Sequence, residues 1–136
     1  MNTTSGVTAL PRRRYDWRQA LGKDGEDLAC DELRRRGYAI LARRYRTRVG
    51  ELDIVARDGE TLVFVEVKAR RTEEFGTPGE AVTWRKRRKL QVMATDFLSR
   101  GRLLAVPCRF DVVAITLGQA GQTPRVEVFP AAFDAA

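Results

Sequence analysis

The amino-acid sequence predicts an α/β domain, a mixed central sheet flanked by helices, on three observations. Two stretches with helical spacing of apolar residues bracket a run of segments with strand character. Two of those segments flank Asp58-Gly59, a hairpin signal. One of them, Thr61–Ala69, is apolar on both faces, as a strand covered on both sides should be. A chain of 136 residues is long enough to bury one core as a single domain.

Residues 1–16 lack periodicity and carry Arg12, Arg13 and Arg14 as their one feature, so they read as a disordered basic arm. Their opening stretch has no apolar run of the signal-peptide kind. The first helix is expected over Leu21–Arg36, with Leu21, Leu28, Ala29 and Leu33 facing inward and Gly37 stopping it after a cationic last turn. Strands are expected at Tyr38–Tyr45, Leu52–Ala56 and Thr61–Ala69. Gly76, Pro78 and Gly79 mark Arg71–Val82 as a loop. A second helix, Thr83–Ser99, places Leu90, Met93, Ala94, Phe97 and Leu98 at i, i+3, i+4, i+7 and i+8, and Gly101 ends it. Phe110–Leu117 and a short edge strand, Arg125–Phe129, complete a domain spanning 17–130, followed by a short tail at 131–136. The order α-β-β-β-α-β-β gives an antiparallel meander, a helical crossover long enough for a parallel strand, and further strand.

Histidine is absent. That excludes Ser-His-Asp and Cys-His catalysis and histidine-ligated zinc, and leaves hydrolysis to carboxylates, lysine, hydroxyls or an oxygen-bound metal. Cys30 and Cys108 lack metal-ligand spacing and are expected as buried free thiols in a reducing cytoplasm. The net charge is +7, and 21 of the 25 basic residues are arginine, the side chain suited to bidentate phosphate contact.

The chemistry concentrates on the central strand. In Thr61–Ala69 the residues Leu62, Phe64, Glu66 and Lys68 share a face, so two charges stand where core is expected. One reading is a local ion pair, with Lys68 neutralising Glu66 at the sheet rim. A two-residue Asp58-Gly59 turn adds another, because it would set Asp53 opposite Phe64 and Glu51 opposite Glu66. Asp53 would then lie diagonal to Glu66 on one side of the sheet, close enough for both carboxylates to reach one ion. Glu26 shares a helical stripe with Ala29, Cys30 and Leu33 and so points towards the core side, although a carboxylate near a helix N-terminus is also favoured by the dipole. Clustered carboxylates are costly without compensation, and one lysine does not balance them. A divalent ion would, and oxygen-only ligation points to Mg²⁺ or Mn²⁺. Arg70 and Arg71 follow Lys68, and Arg85, Lys86, Arg87, Arg88 and Lys89 open the second long helix beside Trp84. These form a candidate phosphate-binding surface, or an ordinary solvated face.

The string Asp53-x12-Glu66-x-Lys68 resembles the PD-(D/E)XK signature of restriction-endonuclease-like nucleases. Gly25-Glu26-Asp27-Leu28-Ala29, Gly50-Glu51-Leu52-Asp53-Ile54, Val63-Phe64-Val65-Glu66-Val67-Lys68 and Arg109-Phe110-Asp111-Val112-Val113 are similar to successive blocks of the bacterial YraN family, over roughly residues 20–117. That family is grouped by similarity with archaeal Holliday junction resolvases. The resemblance implies a restriction-endonuclease-like αβββαβ core with Glu26, Asp53, Glu66 and Lys68 in the active-site places. It also implies metal ligation by Asp53, Glu66 and the Val67 carbonyl. Leu52 stands where the general signature has proline, and Thr95 stands where a Gln-x-x-x-Tyr motif starting at Gln91 would need tyrosine. The expected activity is metal-dependent endonucleolytic cleavage of DNA, with branched or structured DNA as a candidate substrate and a homodimer as a reasonable assembly. The rivals are a non-catalytic nucleic-acid-binding protein retaining a nuclease fold and a protein-interaction factor whose charges serve solubility.

Overall fold

A computed structural model describes residues 17–70, 82–116 and 123–133. The basic arm, Arg71 with the loop to residue 81, and the last three residues lie outside the described residues.

Helix α1 spans Trp17–Arg35, starting four residues ahead of the predicted Leu21. Its apolar stripe is buried as the spacing requires: Ala29, Cys30 and Leu33 are almost wholly removed from solvent. Gly37 takes φ 94. Its N–H donates to the Arg34 carbonyl and that of Tyr38 to the Leu33 carbonyl, both at 2.9 Å, so a left-handed residue closes the helix with paired backbone bonds.

Five strands follow the expected order around a second helix: β1 Ala39–Thr47, β2 Gly50–Asp58, β3 Thr61–Arg70, α2 Trp84–Arg100, β4 Cys108–Thr116 and β5 Arg125–Phe133. They form one sheet in the order β1-β2-β3-β4-β5. The β3–β4 pair is parallel and the others antiparallel, so the sheet is mixed and α2 is the crossover. This is the predicted αβββαβ architecture with β5 added at the edge.

Two details differ from expectation. The β2–β3 turn is Gly59-Glu60, with Asp58 paired to Thr61, one residue later than Asp58-Gly59. Only Gly59 has positive φ, 62°, which is the pattern of a turn with glycine at its first central position. The register therefore slides by two residues: Val55, and not Asp53, lies opposite Phe64. Helix α2 ends at Gly101 as expected, its N–H donating to the Phe97 carbonyl at 3.1 Å, and the left-handed residue, φ 57, is the following Arg102. Strand β5 runs on past Pro130 to Phe133, which is buried against the core, four residues beyond the expected Phe129.

Each face of the sheet carries its own core. On the α2 side Leu52, Val55, Phe64, Leu90, Met93, Phe110 and Val112 pack together, joined by Val82, which the sequence placed in the loop. On the α1 side Leu33, Ile54, Ala56, Val63, Val65, Val113 and Ile115 meet Ala29 and Cys30. Burying such a side chain contributes about 1.5–3 kcal/mol, so the two faces hold both helices firmly against the sheet. Cys30 and Cys108 are free thiols as expected, but Cys108 is only half-buried. Asp111, fully buried on β4, accepts from Tyr38 Oη at 3.2 Å, Arg109 Nε at 3.0 Å and the Ala131 N–H at 2.9 Å. Arg109 reaches on to Asp58 at 2.9 Å, pinning the β2–β3 turn.

Candidate active site

Strands β2 and β3 stay in regular register from Asp58/Thr61 up to Ile54/Val65. Beyond that point the ladder gives way to a side chain: the Val67 N–H donates to Asp53 Oδ2 at 2.8 Å. Alternation along β2 also breaks here, since Leu52 and Val55, three residues apart, enter the same core. Across from the break, Arg44 on β1 adopts a left-handed φ of 53°. The sheet thus opens at Asp53, and the carboxylate fills the opening toward β3. Glu66 and Lys68 lie on β3 on either side of the Val67 amide that it caps. The two-residue slide leaves Asp53 just beyond the last ladder pair, Ile54 with Val65, instead of opposite Phe64. Glu51, expected opposite Glu66, instead pairs with Arg46 on the exposed β1–β2 hairpin at 2.9 Å.

Glu66 is only 6% exposed. Its Oε2 lies 3.9 Å from Lys68 Nζ and 3.3 Å from Lys86 Nζ on α2. Its Oε1 is buried without a hydrogen-bond partner among the described residues. Burial and the neighbouring charge of Glu66 push the Asp53 carboxyl up from 3.8 to about 7, with Glu26 adding to the rise and the Val67 N–H and Lys86 opposing it. Two carboxylates therefore face one another with too little compensation, and one oxygen is left bare. No group of three or more His, Cys, Asp or Glu side chains gathers for a metal among the described residues. The oxygen donors at this point are the carboxylates of Asp53 and Glu66, with the Val67 N–H already given to Asp53. An all-oxygen set with an unpaired buried acceptor fits a hard divalent cation.

Glu26 approaches from α1. It is largely buried, and it lies 2.9 Å from Arg44 Nε and 3.6 Å from Arg43 Nη2; Arg43 also binds Asp27 at 2.7 Å. Glu26 thus reaches Asp53 through space while its own charge is offset by β1 arginines.

The basic residues divide. Arg85, Arg88 and Lys89 are exposed on α2, as a phosphate surface requires. Arg87 is committed elsewhere: its Nε donates to the Val82 carbonyl at 3.1 Å, and its guanidinium lies 5.1 Å from the Phe133 ring centre. Lys86 turns inward to Glu66. Arg70 closes β3, and Arg71 falls outside the described residues. The inward turn of Lys86 and the Arg109–Asp111 network escape a sequence reading. A single aspartate inside an apolar central strand was the available signal for the second, and helical phase alone gives none for the first.

The architecture and these side chains define the class, a mixed α/β chain with an αβββαβ core and an aspartate, a glutamate and a lysine at the opened end of its sheet. Within that class the chain belongs to UPF0102, described as an uncharacterised protein family, whose sequence model matches residues 25–115 and which is the YraN family of the resemblance. A UPF0102 protein of Anaeromyxobacter dehalogenans is 52% identical over 119 residues, covering 88% of this chain and 87% of the other. One from Geobacter metallireducens is 48% identical over 118 residues, covering 87% and 95%. One from Geobacter sulfurreducens is 51% identical over 116 residues, covering 85% and 90%.

Proposed function

We propose that this protein is a Mg²⁺- or Mn²⁺-dependent endonuclease that hydrolyses phosphodiester bonds in DNA, with branched or structured DNA as the candidate substrate. The observation that carries the reading is the pairing of Asp53 with a buried Glu66 whose Oε1 has no partner, beside Lys68. In this reading Asp53, Glu66 and the Val67 carbonyl hold the ion. The ion supplies Lewis acidity toward a phosphoryl oxygen and a lowered pKa for water. Lys68, on the strand beside Glu66, orients the attacking water and offsets charge that builds at the phosphorus in the transition state. Glu26 keeps further negative charge near Asp53 and so favours a cation there. Exposed Arg85, Arg88 and Lys89 hold backbone phosphate, and Trp84, 71% exposed at the head of α2, offers a flat face to a base or sugar.

The competing reading, a non-catalytic nucleic-acid-binding protein with a nuclease fold, draws on one observation: two lysines already compensate part of the Glu66 charge. Titration calorimetry with Mn²⁺ separates the two. The nuclease reading expects wild type to bind one ion and Asp53→Asn to bind at least about tenfold more weakly, a loss of about 1.4 kcal/mol. Equal affinities in the two proteins would remove the metal from this site. Among the described residues no helix is long and apolar enough to cross a bilayer.

A further inference from the structure

We propose that Lys86 is a resident counter-cation of this centre, holding the ion's place against Glu66 in the metal-free protein and withdrawing toward the substrate phosphate when a divalent cation binds. The inference rests on the metal reading above and extends it to a residue outside the Asp–Glu–Lys string. Lys86 Nζ is nearer to Glu66 Oε2, at 3.3 Å, than the motif lysine Lys68 is, at 3.9 Å. It also acts on Asp53, whose proton affinity it lowers. Both carboxylates of the proposed cradle therefore feel its charge.

The inward direction is set by local structure. Thr83 caps α2, its hydroxyl accepting the Lys86 N–H at 3.2 Å and its carbonyl accepting the Arg87 N–H at 2.9 Å. Arg87 is anchored to the Val82 carbonyl and the Phe133 ring. With that turn fixed, Lys86 falls toward β3 while Arg85 and Arg88 face solvent.

A purely structural pin is unnecessary here. Helix α2 is already tied to the edge strand by Tyr45 Oη donating to Asp96 at 2.7 Å, and to the sheet by Leu90, Met93 and Leu98. The charges favour an exchange instead. Lysine ammonium groups and a divalent ion compete for the same carboxylate oxygens, and holding both would leave excess positive charge in a partly buried space. Lysine has the flexible stem needed to leave without moving the helix. Its displaced ammonium would emerge beside exposed Arg85 and Arg88, on the side where phosphate is proposed to lie.

The test compares wild type with Lys86→Met, which keeps the apolar stem, and Lys86→Arg, which keeps the charge. Mn²⁺ affinity is measured by calorimetry at about pH 8.5, on the alkaline side of the Asp53 value of about 7. Melting temperature is measured in EDTA. Lys86→Met should bind Mn²⁺ about threefold to tenfold more tightly than wild type, because a repelling charge is gone. It should also melt lower in EDTA, because Glu66 loses its nearest cation. Lys86→Arg should match wild type in both. If wild type binds Mn²⁺ through Asp53 and Lys86→Met binds it no more tightly, the counter-cation role is wrong and the metal site stands. If neither protein binds Mn²⁺, the metal reading fails and this inference fails with it.

Discussion

Asp53 is pulled two ways: burial and the charge of Glu66 favour its neutral form, while the Val67 N–H favours the carboxylate. Burial and repulsion win, and the group titrates at about 7 in the folded protein against 3.8 when unperturbed. Between those values the folded chain binds a proton that the unfolded chain has released. Unfolding free energy from this group is therefore fully present below the lower value, falls as pH rises toward 7, and is level above it. In EDTA the melting temperature of wild type should drop from pH 5 to pH 8, and Asp53→Asn should flatten that slope and melt no lower than wild type at pH 8. Scanning calorimetry of both proteins across the range checks this. An unchanged slope in Asp53→Asn would show that Asp53 is not the titrating group. Glu66 and Lys68 stood out in the sequence because charge interrupts an apolar strand, whereas Asp53 entered through a hairpin register that the structure shifts by two residues. The geometry joining them was not legible, because it depends on β2 leaving β3 at Asp53, and alternation along a strand cannot foresee where a ladder opens.

Strands and helices were legible wherever apolar periodicity is strong, as in α2, where Leu90, Met93, Ala94 and Leu98 are buried as their spacing requires. Their ends were not, since local turn chemistry decides them. The Asp58-Gly59 pair identified the hairpin, but Asp58 remains in the strand, where Arg109 holds it, and glycine takes the first turn position. Strand β5 continues past Pro130 because Ala131, at φ 51, turns its N–H toward buried Asp111 and brings Phe133 against Phe110, with ring centres 5.0 Å apart. Asp111 therefore ties β4 to β5, to the residue that follows α1 and, through Arg109, to the β2–β3 turn. Asp111→Ala would strand the Ala131 N–H and take from Arg109 its buried partner, leaving it Asp58 and the Tyr38 hydroxyl, and should cost about 3 kcal/mol. Urea unfolding by linear extrapolation measures the loss. A change within about 0.5 kcal/mol, the ordinary range for surface substitutions, would show that the network is not a brace.

Across the whole molecule, the net charge of +7 is compatible with many roles, and only its placement narrows them. Arg43 and Arg44 serve Glu26, Arg109 serves Asp111, and Arg87 is held within the fold, so these arginines are structural. What remains for phosphate on α2 is the exposed set Arg85, Arg88 and Lys89. Replacing Arg88 and Lys89 together by alanine should weaken DNA binding uniformly across sequences. It should also flatten the log K against log salt slope by roughly 1–2 units, at about 0.9 per duplex phosphate contact. Fluorescence anisotropy over a salt series reads this, and an unchanged slope would move the nucleic-acid surface away from α2. The most direct test of the central claim is single-turnover cleavage of duplex, forked, four-way and single-stranded DNA in Mn²⁺, comparing wild type with Lys68→Ala and measuring affinity for the same DNAs alongside. The account predicts that wild type cuts at least one of these substrates, and that Lys68→Ala abolishes cleavage while affinity stays within a few-fold, because one contact made in the transition state contributes little ground-state binding. DNA cut by Lys68→Ala at the wild-type rate, or bound by wild type and never cut, would contradict it.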